Sequence, residues 1–226
     1  RGLGDVYKRQ VFPYSELSIT SQRKAVEHFR YINVDNVDWW EGDFIDFVAL
    51  CTYIGIDVHP KQIFFNGFYS QSDGSCFFSY IDIPKMIDGI SKKRWREIAP
   101  NLLLEFDNCP IPKRIVKLIE VGAIDYYALT NIPKQGYYID LEIQFFLGDK
   151  TYKRIEEALN TLKEWLQESL ENINHHLFCS LRNSYETLIG DEAIANSLIT
   201  NEYLFTKDGY YSDYLMQKIN ITEVSI

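Results

Sequence analysis

The sequence predicts an α+β fold, and three patterns carry that expectation. Residues 137–147 alternate: Tyr137, Ile139, Leu141, Ile143, Phe145 and Leu147 share one face, while Tyr138, Asp140, Glu142 and Gln144 share the other. That is the pattern of an antiparallel strand with one wet face. The stretch from about Tyr152 to Leu181 repeats Ile155, Leu159, Leu162, Leu166, Leu170, Ile173 and Leu177 every three or four residues, as a helix with one apolar stripe does. Two aromatic strand candidates, Gln62–Tyr69 and Ser75–Asp82, flank an Asp73-Gly74 pair, a hairpin signal because glycine tolerates the positive φ of a tight turn. Together they predict one α+β domain. Its antiparallel sheet is built from β-hairpins and packed against a long C-terminal helix and two N-terminal helices.

The elements follow in order. Ser18 is placed to cap a first helix whose apolar face carries Ile19, Ala25, Val26, Phe29 and Ile32. Asp38 is the expected N-cap of a second, with Trp40, Phe44, Phe47, Val48 and Cys51 as its stripe and Gly55 as its stop. Between Pro84 and Cys109, Trp95, Ile98 and Leu102 fit a helix interrupted at Pro100. Pro112 opens a short helix through about Val121, which Gly122 ends. A second hairpin joins Asp125–Thr130 to Tyr137–Leu147 through a turn near Pro133–Gly136. A helix around Asp191–Ile199 and a strand-like Tyr203–Phe205, ended by Asp208-Gly209, complete the ordered chain.

Residues 1–10, RGLGDVYKRQ, have another origin. Back-translated as CGT GGG CTC GGA GAT GTG TAT AAG AGA CAG, they match the adapter of transposon-based sequencing libraries. They read as an artefact at the edge of a metagenomic contig and are set apart from fold reasoning. The domain is expected over 11–216, with 217–226 as a tail. The formal net charge is −9 and the pI about 5.0, which argues against direct DNA binding. No long apolar run suggests a membrane span, and a cytoplasmic location in a bacterial host is expected. Cys51, Cys76, Cys109 and Cys179 lie apart without a CxxC pair, which favours reduced thiols over a disulfide framework.

The search for chemistry is mostly one of exclusions. His28, His59, His175 and His176 are the only histidines, and adjacent His175 and His176 point about 100° apart on a helix, so no metal site is expected. GxxxxGK[ST], GxGxxG and GxSxG are all missing, and no cofactor is expected. Asp35, Asp38, Glu41, Asp43, Asp46 and Asp57 fall in one stretch without a basic residue. That stretch reads either as a solvated helix face or as a patch for a basic partner. The hairpin loop, FYSQSDGSCF from Phe68 to Phe77, sets Ser70, Gln71, Ser72, Asp73 and Ser75 among aromatics, as a plain turn or a binding surface would.

Three blocks of sequence carry a resemblance: ELS with DNVDWWEGDFIDF and IGIDV, then IFFNGFYSQSDGSCFFSY, then NEYLFTKDG. They resemble a widespread phage and prophage family with a WW-containing helix start, an FxGFxSQGDGxCFxGxY-like hairpin and a late NEYxFxxDG segment. Some of its members are automatically labelled "antitoxin of toxin–antitoxin stability system". Here Ser72 stands where that family usually has glycine, and Phe78-Ser79 replaces its acidic-glycine pair.

The resemblance implies a phage or prophage accessory protein that acts without catalysis, by binding a host protein in an antitoxin-like or counter-defence role. The expected surface is Asp38, Trp39, Trp40 and Asp43 with the Tyr69–Cys76 loop: Tyr69, Ser70, Gln71, Ser72, Asp73, Gly74 and Cys76. Trp39 or Trp40 is its expected anchor, with one of the pair in the core. Two rivals remain open. One is a protein that sequesters a nucleotide or other small molecule through Tyr69, Gln71, Ser72 and Asp73; the other is an enzyme using Asp73 as a base or Cys76 as a nucleophile.

Overall fold

The computed structural model describes residues 11–133, 136–148 and 152–212; the expectations for residues 1–10, for the tail from 217 and for the turn centre at Lys134 and Gln135 lie outside them. The chain is α+β. Its elements are β1 (Phe12–Pro13), α1 (Ile19–His28), α2 (Glu41–Tyr53), β2 (Ile56–Asn66), β3 (Gly74–Ile81), α3 (Ile83–Ser91), α4 (Lys113–Glu120), β4 (Asp125–Asn131), β5 (Asp140–Phe146), α5 (Lys153–Leu188), α6 (Asp191–Thr200) and β6 (Leu204–Phe205). They gather into two compact units, one of Trp40–Arg182 and a smaller one of the described residues up to Trp39 and from Asn183 onward. Among the described residues no helix is long and apolar enough to cross a membrane.

The larger unit is built on a four-stranded antiparallel sheet ordered β2-β3-β4-β5. β2 begins at Ile56, before the expected Gln62, and runs through Pro60. Its register shifts between Val58 and Ile63, and it lies at the sheet edge. A bulge on an edge strand is where a residue without an N–H fits. β5 keeps the expected alternation, with Ile139 and Leu141 buried and Asp140, Glu142 and Gln144 exposed. On α5, Leu159, Leu162, Leu166, Leu170, Ile173, Leu177 and Leu181 are buried, and Trp165 and Ser169 extend that stripe. The helix meets the sheet through side-chain amides. Gln167 accepts from Leu141 N and donates to Ile139 O, both at 3.0 Å, so it closes the edge beside β5 as another strand would.

Two helical expectations change here. α2 starts at Glu41 behind Trp40, whose helical backbone carries no side-chain cap, so Asp38 is not the N-cap. At its other end Gly55 has φ +77 and stops the helix; a Cβ there would also lie 2.7 Å from the Met86 nitrogen. The expected helix through Trp95, Ile98 and Leu102 is replaced by α3, capped by Asp82 accepting from Lys85 N, and a 3-10 turn at Arg94–Glu97. Trp95 is buried and Ile98 exposed, and Pro100 follows in irregular chain.

The smaller unit closes around Leu17, Ala25, Val26, Ile194, Leu198 and Phe205. Ser18 caps α1 by accepting from Ser21 N, as expected, whereas Ile19 in the first turn is exposed. β1, which the sequence analysis does not predict, pairs antiparallel with β6. Gly209 of the NEYLFTKDG block has φ +84 and approaches α1 so closely that a Cβ would lie 2.3 Å from Ser21 O. Ser21 in turn donates to Lys207 O at 2.8 Å. That block docks the late turn on α1.

Candidate functional site

The quoted hairpin loop is a fixed structure, and most of its composition has a local cause. Asn66 pairs with Gly74, so the connection is the loop Gly67–Asp73 and not a tight turn centred on Asp73-Gly74. The positive φ sits at Gly67, at +55, where a Cβ would fall 2.5 Å from the Asp73 carboxylate. Asp73 Oδ2 accepts from Tyr69 N at 2.7 Å and Ser70 N at 2.6 Å, and Asp73 N donates to Ser70 O. One carboxylate thus satisfies two loop donors, as an N-cap satisfies the first turn of a helix. Gly74 is buried in β3, where a Cβ would lie 2.2 Å from Tyr137 O; close approach, not a left-handed turn, requires glycine there.

Both flanks of the loop are anchored. The Phe68 ring lies 5.9 Å from Phe65 and 5.6 Å from Phe178 of α5, centroid to centroid. Ser75 Oγ donates to Asn174 Oδ1 at 2.9 Å while Asn174 Nδ2 donates to Ser75 O at 2.7 Å, which clamps the start of β3 to α5. Tyr69, Ser70, Gln71 and Ser72 are left exposed, Tyr69 at 71%. Ser72 is not among the residues with positive φ, so its backbone does not call for glycine.

Several expected site residues leave this surface. Gly74 and Cys76 are buried, Cys76 completely, so neither meets a partner. Burial pushes the Cys76 thiol up to about 11, which keeps it protonated and removes it as a nucleophile. Asp73 is occupied by backbone donors, which argues against its use as a base. Asp38 and Trp39 belong to the smaller unit, whereas Trp40, Asp43 and the loop belong to the larger. Neither tryptophan is core and neither is fully exposed. Each ring has an aromatic neighbour in its own unit: Trp39 lies 5.6 Å from Tyr185, and Trp40 lies 5.6 Å from Phe65. A ring already packed at home has less area to offer a partner.

Asp43 belongs to a cleft the sequence did not suggest. It lines a cavity of about 380 Å³ with Asp46, Leu50, Leu102, His176 and Ser180. Asp43 Oδ1 accepts from the Ser180 hydroxyl at 2.6 Å. The trio resembles a hydrolytic one in composition but not in connectivity. Ser180 gives its proton to the carboxylate, where a relay needs it to face the imidazole. Burial foremost, and His175 next, lower the His176 pKa, against an opposing pull from Asp43. His176 and Ser180 are four residues apart on one helix, which was the available signal. His175 faces elsewhere, with Nε2 3.4 Å from Cys179 Sγ, as the angle between adjacent helical positions requires. Among the described residues no cluster of three or more His, Cys, Asp or Glu is arranged to hold a metal, and all four cysteines are free.

A protein-family model described as "Domain of unknown function (DUF8835)" matches residues 39–191, more than half of the chain. The matched span contains the whole of the larger unit, the loop and its clamps included. No curated protein and no solved structure matches the chain.

Proposed function

We propose that this chain, which belongs to the DUF8835 family, works by binding a partner protein through the loop tip Tyr69–Ser72. The observation that carries the reading is the loop's preorganisation. Asp73 satisfies the Tyr69 and Ser70 amides, Phe68 is held between Phe65 and Phe178, and Asn174 clamps Ser75. A tip fixed before binding loses little conformational freedom on docking, which leaves more of the contact energy as affinity. Tyrosine beside small hydrogen-bonding side chains is also a composition that recognition loops favour.

The likeness of the three sequence blocks to phage and prophage proteins supports reading that partner as a bacterial host protein, met in the cytoplasm in an antitoxin-like or counter-defence role. No bond-making step is assigned to the loop: its one carboxylate is engaged and its cysteine is buried and protonated.

The test is affinity capture from bacterial lysate with the wild type and with a Tyr69→Ala/Gln71→Ala variant of unchanged melting temperature. Expected is a host protein retained by the wild type and lost with the variant. Identical captures from both would overturn the reading.

A further inference from the structure

We infer that the sheet face turned away from α2 and α5 is a second docking surface, separate from the loop tip, for an extended arginine-bearing segment of a partner protein. The register defines that face. Phe77 meets Phe47 of α2 at 5.2 Å and Ser75 is bonded to Asn174 of α5, so both point inward from β3. Phe78 and Tyr80 alternate with them and point outward. The outward row through Tyr80 crosses the whole sheet: Asp57 of β2 pairs with Tyr80, Tyr80 with Leu129 of β4, and Leu129 with Glu142 of β5. Tyr127, two residues before Leu129, shares the face.

An open sheet face that meets only water carries polar side chains. This one carries Tyr80, 59% exposed, and Tyr127, 41% exposed, beside a buried Leu129. Phe78 packs edge to face on Tyr80 at 5.7 Å. Around these rings the paired positions of the face hold Asp57, Asp125, Asp140 and Glu142, all exposed, and no Lys or Arg. Among the described residues none of the four acids is in an ion pair. Asn131 Nδ2 donates to Glu142 Oε2 at 3.0 Å, which holds that carboxylate in place. Desolvation first, then the nearby Glu142 and Tyr80, raise the Tyr127 pKa, so the three side chains share one neighbourhood.

Charge and shape select the occupant. Tyrosine rings attract cations, and a flat guanidinium stacks on a ring while its N–H fork meets a carboxylate, which a compact ammonium does less well. Each half of the row offers one such pair: Asp57 beside Tyr80, and Glu142 beside Tyr127. The unbalanced carboxylates repel phosphates, which sets single-stranded nucleic acid aside despite the aromatic surface. Spacing adds a constraint. Asp57 and Glu142 end a row of four strands, three steps or about 14 Å apart. In an extended chain residues four apart project on one side at about 13 Å. Two arginines at that spacing meet both pairs.

The experiment titrates the full chain with a fluorescein-labelled serine–glycine peptide carrying two arginines four positions apart. It is followed by fluorescence anisotropy and by amide NMR shifts. Expected is saturable binding with Kd below about 1 mM, with shifts centred on Tyr80, Leu129 and Glu142. Affinity is expected to fall as salt rises, and to be weaker for the same peptide with lysines in place of the arginines. Tyr80→Leu, which keeps apolar area but removes the ring, and Glu142→Gln are each expected to weaken binding about fivefold. Both side chains are exposed, so melting temperatures should hold; if one variant fails to fold, the other decides. Absence of binding at millimolar peptide, or wild-type binding by the folded variants, would overturn the proposal. Tyr80-dependent binding of a labelled oligouridylate, or Tyr80-dependent self-association in size-exclusion chromatography, would identify a different occupant and overturn it as well.

Discussion

Replacing Asp73 with alanine tests the loop at its organising atom. Asp73 Oδ2 is the shared acceptor for Tyr69 N at 2.7 Å and Ser70 N at 2.6 Å. Hydrogen bonds to a charged group contribute roughly 1.5–3 kcal/mol when well shielded. This loop is open to water, which solvates the released amides, so the closer guide is loss of a helix N-cap, about 0.5–2 kcal/mol. We expect Asp73→Ala to cost about 1 kcal/mol and Asp73→Asn, which keeps one acceptor oxygen, about half of that. Because the loop opens locally, the loss appears first as faster amide exchange. A cost of about 1 kcal/mol corresponds to roughly fivefold faster exchange at Tyr69 and Ser70. The amides of the clamped strand β3 should change little. Native-state hydrogen exchange by NMR reads both. Unchanged exchange at Tyr69 and Ser70 in Asp73→Ala would refute the account of the loop, because the carboxylate would then not be holding it.

Three further predictions bear on the rest of the fold. Leu162→Ala, at a fully buried position on α5, is expected to lower stability by about 2–5 kcal/mol in urea denaturation; a loss below about 0.5 kcal/mol would place α5 away from the sheet. Gly74→Ala, whose new Cβ would meet Tyr137 O, is expected to destabilise more than Gly42→Ala, where nothing lies within 4 Å, and equal melting temperatures would contradict the close approach. His176 binds its proton less readily when folded than its ordinary value of 6.5, so the unfolded chain takes up more protons as pH falls below about 6.5. Its contribution to stability is complete above that pH and is lost as pH falls through the lowered folded value; wild type should therefore lose more stability than His176→Gln between about pH 7.5 and pH 5.5, and parallel profiles would contradict it.

The parts of this fold legible in the sequence are those where one periodicity dominates. The alternation from Tyr137 to Leu147 and the leucine stripe of α5 each report a single inward face: Ile139 and Leu141 are buried with Tyr137, Ile143, Phe145 and Leu147 half-buried on the same side, and Leu159 to Leu177 of the stripe are buried. What stayed hidden depends on partners distant in the chain. β2 crosses Pro60 because an edge position and a bulge remove the need for its N–H, which no local pattern announces. β1 exists only because β6 pairs with it, about 190 residues later in sequence. α5 continues past Leu181, where its apolar stripe ends, to Leu188, and there Leu188 O accepts from Asn33 Nδ2. In the loop, the composition suggested the wrong turn geometry. Asp73-Gly74 suggests a two-residue turn, yet Gly67 supplies the left-handed backbone and Gly74 makes room for a carbonyl. The expectation that one of the tryptophan pair is core fails for a similar reason: both are half-buried, against Phe65 and Tyr185, which lie far from them in the chain.

The central claim is that the fixed tip Tyr69–Ser72 meets the partner. Site-specific photocrosslinking tests it most directly, with a photoreactive phenylalanine analogue placed at Gln71 and, as a control, at Glu164, an exposed position on α5. The account predicts one dominant crosslinked bacterial protein from Gln71, absent from Glu164 and lost on competition with unlabelled wild type. No specific crosslink from Gln71, or the same product from both positions, would contradict it.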